Sequence, residues 1–211
     1  MRSRLLALLA LSALLAAPAF AQDTDPFMRH PAVHPDGDRI AFAYQGDLWT
    51  APVDGGTPER LTIHEAYEGH PRWGPDGSRI AFTSDRYGNS DLYVMTAAGS
   101  TPERLTYHST GDALGGWTPE GQLLFTTRRT YAQAEWSDEI YTVDADGGTP
   151  DRRLDAVGSS PRMSPDGRFI AFVRGYNDVT KKGYEGPAAR NVWVSDTETD
   201  TYTPVTTYAR T

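Results

Sequence analysis

Pro71 to Thr106 reads PRWGPDGSRIAFTSDRYGNSDLYVMTAAGSTPERLT, and the chain carries this unit four times in recognisable form. Pro75-Asp76-Gly77 is a turn signal, because Asp-Gly supplies the positive-φ position a tight turn demands. Arg79 to Thr83 follows with Ile80 and Phe82 on one face, the two-residue period of a strand. Asp91-Leu92-Tyr93-Val94 is the next apolar run, and Glu103-Arg104-Leu105-Thr106 closes the unit as a short last strand.

Working outward, the same order recurs on both sides. The first copy has Pro35-Asp36-Gly37, Arg39 to Tyr44, Leu48-Trp49-Thr50-Ala51 and Glu59 to Thr62. The third has Pro119-Glu120-Gly121, Leu123-Leu124-Phe125, Glu139 to Val143 and Arg152-Arg153-Leu154. The fourth has Pro165-Asp166-Gly167, Phe169 to Val173, Asn191 to Val194 and Tyr202 to Thr206. The turns begin at 35, 75, 119 and 165, so the period is 40 to 46 residues. Four strands at that period make one β-propeller blade. No copy holds an uninterrupted amphipathic helical stretch, so helical solenoids are excluded. The expected fold is all-β, with four-stranded blades over about 30–62, 70–106, 116–154 and 161–206. Ala41, Ala81 and Ala171 let sheets approach closely, and the recurrent Trp49, Tyr93, Tyr141 and Trp193 are expected to pack between blades. Propellers have four to eight blades. A closed ring of four is one reading; the favoured one is an incomplete front part of a six- or seven-bladed propeller.

Residues 1–21 form an export signal. Arg2 and Arg4 precede an apolar run from Leu5 to Ala17, and Ala19-Phe20-Ala21 is a cleavage site. Thirteen residues are fewer than the roughly 20 a membrane span needs, which disfavours an uncleaved anchor. The mature segment, 22–211, is expected in the periplasm or cell envelope. Cysteine is absent, which rules out disulfides, thiolate metal sites and a Cys nucleophile. The formal charge is -8, and losing Arg2 and Arg4 makes it -10. That balance argues against nucleic acid or anionic lipid as partner. Peptides or proteins are the expected partners, without membrane insertion after cleavage and with oligomerisation left open.

Chemistry-bearing motifs are few. His64-Glu65-Ala66-Tyr67-Glu68-Gly69-His70 places Glu68 where a zinc-peptidase helix needs its second His, and Gly69 and Pro71 read as a linker. Asp144-Ala145-Asp146-Gly147 resembles the start of a calcium loop, but Gly148 and Thr149 fill ligand and sharp-turn places, and a hairpin turn explains it. No Gly-x-Ser-x-Gly elbow or phosphate loop is present. No catalytic, cofactor-binding or metal residue is therefore assigned, and no cofactor is expected. The loop from Arg174 to Arg190, with Lys181-Lys182-Gly183-Tyr184, is the place to look for contacts, against the plainer reading of a solvated excursion.

Gly74-Pro75-Asp76-Gly77-Ser78-Arg79-Ile80-Ala81-Phe82 and Ser164-Pro165-Asp166-Gly167-Arg168-Phe169-Ile170-Ala171-Phe172 resemble the propeller repeat of TolB-like proteins, prolyl oligopeptidase relatives and tricorn-type peptidases. Tyr44-Gln45-Gly46-Asp47-Leu48-Trp49, Leu114-Gly115-Gly116-Trp117-Thr118-Pro119 and Lys182 to Trp193 more specifically resemble the start of exported tricorn-type serine peptidases. That resemblance spans about Pro31 to Thr206. It implies a substrate-handling propeller whose serine peptidase core lies beyond this chain, so that residues 22–211 alone hydrolyse nothing. A non-enzymatic TolB-like scaffold for protein partners is the alternative, and a propeller preceding an α/β-hydrolase peptidase is a third.

Overall fold

The computed structural model describes residues 27–130, 138–175 and 189–206. The export signal and Lys181 to Tyr184 lie outside the described residues. The described residues form sixteen strands, arranged as four antiparallel four-stranded sheets in chain order. The first comprises β1 (Arg29–Val33), β2 (Arg39–Tyr44), β3 (Asp47–Pro52) and β4 (Glu59–Arg60). The second comprises β5 (Glu68–Trp73), β6 (Arg79–Ser84), β7 (Asp91–Thr96) and β8 (Glu103–Arg104). The third comprises β9 (Ala113–Trp117), β10 (Gln122–Thr127), β11 (Glu139–Asp144) and β12 (Asp151–Val157). The fourth comprises β13 (Ser159–Met163), β14 (Phe169–Arg174), β15 (Asn191–Asp196) and β16 (Thr201–Pro204). The molecule is an all-β propeller of four blades, each an up-and-down meander.

The turn signals act as their chemistry requires. In each blade the glycine amide donates to the carbonyl three residues earlier, as Gly77 does to Gly74 at 2.9 Å, and the glycine sits at positive φ, 71° in Gly77. Asp144 to Gly147, read from the sequence as a hairpin turn, is such a turn: the Asp146 amide donates to Asp144 Oδ1 at 2.9 Å, and the Asp146 carboxylate accepts from Arg79 of the second blade at 2.7 Å. His64 likewise serves its loop, its amide donating to Asp47 and its ring nitrogen accepting from the Ala66 amide. Among the described residues, no group of three or more His, Asp or Glu is arranged to hold a metal ion.

Blades pack by fitting a small face against a large one. Ala41, Ala43 and Leu48 of the first blade meet Trp73, Ile80, Phe82, Tyr93 and Met95 of the second. Ala81, Leu92, Val94 and Leu105 of the second meet Leu114, Leu123, Phe125, Tyr141 and Val143 of the third. Leu124, Ile140 and Leu154 of the third meet Ile170 and Phe172 of the fourth, with Trp193 and Tyr202 against them. The period-2 alternation makes this possible, since each strand shows alternate side chains to the blade before and the blade after. Burying one such Leu, Ile or Phe is worth about 1.5–3 kcal/mol. Tyr93, Tyr141 and Trp193 thus belong to these interfaces, whereas Trp49 contacts Tyr44 and Arg60 of its own blade.

In the first three blades the third strand is tied to the fourth by an ion pair with a buried carboxylate. Asp47 pairs with Arg60, Asp91 with Arg104 at 2.8 Å and Glu139 with Arg152 at 3.6 Å. Thr106 completes the second-blade pattern, its hydroxyl accepting from the Leu92 amide at 2.9 Å while its carbonyl accepts from Arg104. These carboxylates are buried because each has a guanidinium beside it, the condition under which burial is tolerable.

Candidate functional site

The first strand of every blade, β1, β5, β9 and β13, is the innermost. Each is bulged against its neighbour: register slips between Arg29 and Ala32, between Gly69 and Arg72, at Leu124–Phe125 opposite β9, and between Ser159 and Arg162. Three bulges place a non-glycine residue in the left-handed region: His30 at φ 53°, His70 at 54° and Ser160 at 55°. A bulge bends a strand and re-aims its side chains, and such devices cluster at functional rims. The third blade has Gly115 at its bulge, outside the left-handed region. A β-carbon there would stand 2.7 Å from the Pro161 carbonyl and 2.8 Å from that of Leu124, so only glycine lets β9 and β13 approach this closely.

The turn-proximal ends of the four inner strands converge on one cavity of about 650 Å³. Val33, Trp73, Trp117 and Met163 occupy the matching position in the four blades and give it an apolar wall, with the turn prolines Pro35, Pro75, Pro119 and Pro165 at its rim. The tryptophans are held by backbone: Trp73 Nε1 donates to the Ala32 carbonyl at 3.0 Å and Trp117 Nε1 to the Arg72 carbonyl at 2.9 Å. Each indole therefore reaches back to the inner strand of the preceding blade.

Adjoining this wall the inner strands become cationic. Arg72 lines the cavity, its guanidinium donating to the Pro71 carbonyl at 2.9 Å and to Gly115 of the next blade at 3.4 Å. Arg162, at the matching position of the fourth blade, donates to its own Pro161 carbonyl. Burial and then the charge of Arg162 lower the Arg72 pKa. The rings of His30 and His70 stack at 3.7 Å, and His70 also contacts Thr83 Oγ1 at 3.3 Å. Both histidines are pushed below their ordinary value. Burial is the main cause for each, followed by Arg29 and Arg72 for His30 and by His30, Arg72 and Arg162 for His70.

Nine other arginines stand within ion-pair distance of a carboxylate: Arg39, Arg60, Arg79, Arg86, Arg104, Arg128, Arg129, Arg152 and Arg168. Among the described residues Arg72 and Arg162 stand beside no carboxylate, and the same holds for Arg29, Arg153 and Arg174. Nothing local in the sequence relates Arg72 to Arg162, because a whole blade separates them in the chain. Of the long 174–190 loop, only its ends are described; Arg174 lies over the Trp193 ring at 5.3 Å.

Known structures extend the picture. The tricorn protease structure superposes with a TM-score of 0.69 at 23% identity, covering 86% of this chain and 18% of that one. TolB from Acinetobacter baumannii gives 0.67 at 23% identity, over 86% of this chain and 44% of that one. An oligogalacturonate lyase in complex with manganese gives 0.64 at 13% identity, over 86% and 53%. At these identities the likeness is one of fold, and this chain spans less than half the length of TolB and under a fifth of tricorn protease. No curated protein matches. Residues 25–211 match the family described as the tricorn protease N-terminal β-propeller domain, and this chain belongs to it.

Proposed function

We propose that this propeller is the substrate-handling region of an exported tricorn-type serine peptidase, with hydrolysis carried out by a catalytic core outside this chain. The observation that carries the reading is the convergence of four inner strands on one apolar-walled cavity with arginine beside it, in a chain of this family. Such a cavity can take up an extended peptide, offering apolar surface to side chains and cationic groups to carboxylates. The basic, apolar and alanine-rich start of the chain supports delivery to the periplasm or envelope.

The test is to express the complete open reading frame containing this chain and assay it on denatured protein and on peptide mixtures. Hydrolysis suppressed by a serine-directed phosphonate, with none by residues 22–211 alone, is the expected result. A full-length product that cleaves no peptide overturns the peptidase reading. Stoichiometric capture of a protein partner by that inactive product would establish the TolB-like scaffold instead.

A further inference from the structure

We propose that the stacked rings of His30 and His70 are a proton-operated latch on the seam between β1 and β5, closed while both rings are neutral and opened in mild acid, so that the cavity wall responds to pH. The latch belongs to the fold and holds whatever the cavity takes up. Two fastenings join these strands. One is the ring stack, 3.7 Å between centroids with the planes 25° apart. The other is the Trp73 indole, which donates to the carbonyl of Ala32, two residues beyond His30. Ala32 and Trp73 both line the cavity, so a change at the stack reaches its wall directly. The residues three places before Val33, Trp73, Trp117 and Met163 are His30, His70, Leu114 and Ser160, so only this seam carries titratable groups at that position.

The closed stack disfavours a proton. His30 Nδ1 is buried and meets no hydrogen-bond partner among the described residues, so an N–H formed there would lack an acceptor. His70 Nδ1 faces Thr83 Oγ1 at 3.3 Å, and that hydroxyl donates to the Gly69 carbonyl at 3.1 Å, which leaves it to accept from the neutral ring. The charged groups acting on the rings are cations: Arg29 of β1 on His30, Arg72 of β5 on both, and Arg162 of β13 on His70. Glu68, also on β5, is engaged by Arg86 at 3.0 Å. β6 brings only the neutral Thr83, and Tyr67 stands across Gly69, where a β-carbon would be 2.8 Å from its ring and 3.3 Å from His30 Nδ1. Two imidazolium ions at stacking distance would add their own repulsion. Once the strands part, each ring titrates near its solution value of about 6.5. The open seam therefore binds more protons than the closed one, and opening gains as pH falls through that value, levelling off once the closed rings are themselves protonated. His34 differs: it meets Trp73 edge-on at 4.7 Å but stands beside Asp36 and Asp38, so a proton there adds no repulsion to the seam.

The experiment follows amide hydrogen exchange by mass spectrometry in the complete, signal-cleaved gene product, at about pH 7.5 and about pH 5, with rates corrected for intrinsic exchange. Between these, the segments 29–33 and 68–73 should lose at least about tenfold in protection, while 113–117 and 159–163 change by under about twofold. Fluorine NMR of 5-fluorotryptophan, assigned with Trp73→Phe and Trp117→Phe, should show Trp73 moving over the same pH range. Trp117, tied to the Arg72 carbonyl on the non-titrating side, should stay. His30→Asn/His70→Asn removes the titration with a residue that tolerates the left-handed backbone, and its loss in 29–33 should shrink to under about threefold. His34→Asn should keep the full response. Unchanged protection of 29–33 in acid, equal loss in all four inner strands, or a folded double variant that responds like the wild type overturns the proposal. So does a response abolished by His34→Asn. The first two outcomes are read on the wild type, so they decide the matter even where the double variant does not fold.

Discussion

The second and fourth blades share a meander and a turn, yet differ in what their third and fourth strands bury. In the second, Leu92 is 0% exposed and Leu105 3%; at the matching positions of the fourth, Val192 is 37% exposed and Val205 60%. The ion pair changes in step. Asp91 and Arg104 are replaced by Asn191 and Pro204, so acid and base disappear together, while the threonine is kept: Thr206 Oγ1 accepts from the Val192 amide at 2.8 Å as Thr106 Oγ1 does from Leu92. The threonine tie and the charge pair are therefore separate devices: the fourth blade keeps the threonine without the pair, and the third, with Leu154 at the threonine's position, keeps the Glu139–Arg152 pair without the threonine. Removing one buried partner leaves an uncompensated charge, whereas exchanging both for neutral groups is often close to harmless.

The largest expected effect tests that statement. Arg104→Met should destabilise by about 3–5 kcal/mol, because burial already raises the Asp91 pKa and Arg104 is the chief group opposing it. Asp91→Asn/Arg104→Met, which carries the fourth blade's neutrality into the second, should recover most of the loss in urea unfolding. If the double variant is no better than the single one, the two residues are not a unit.

Next in size is the packing contrast. Leu92→Ala removes a side chain enclosed by the third blade and should cost about 3 kcal/mol. Val192→Ala should cost under about 1 kcal/mol, since the site is partly open. Equal losses measured by denaturant titration would show that exposure does not distinguish the blades.

The smallest effect concerns the inner strands, where His70 of the second blade corresponds to Ser160 of the fourth, both at positive φ. A histidine whose folded pKa lies below its unfolded value binds fewer protons folded than unfolded. Its presence therefore lowers stability as pH falls through about 6.5, the loss levelling off below the folded pKa. The groups acting on the ring are His30, Arg72 and Arg162, besides its contact with Thr83. His70→Ser should flatten the fall in melting temperature between neutral and mildly acid pH, leaving the share due to His30. An unchanged pH profile would place the titration elsewhere.

How much of this the sequence discloses depends on whether the signal is local. The Pro-Asp/Glu-Gly turns and two-residue periods are local, and they place four blades correctly because each turn needs its glycine at positive φ. The ion pairs are legible too, as a repeated spacing: Asp47 to Arg60, Asp91 to Arg104 and Glu139 to Arg152 are each 13 residues apart. The third blade's inner strand begins at Ala113, ahead of the expected 116, because a bulge interrupts the alternation on which such boundaries are judged. The cavity could not be read at all. Its wall takes one residue from each blade, Val33, Trp73, Trp117 and Met163, with Arg72 beside them, and only the fold brings these together.

The indoles of Trp73 and Trp117 give the molecule a direction. Each grips the blade synthesised just before it, so an inner strand is fastened only after its successor has arrived. A chain that emerges N-terminus first, blade after blade, would be locked from behind as it grows, like a ratchet whose pawl sits on the following tooth. Damage then has a polarity: losing Trp117 loosens the second blade's inner strand, and with it the segment bearing Arg72, while the tether from Trp73 to the first blade is left in place.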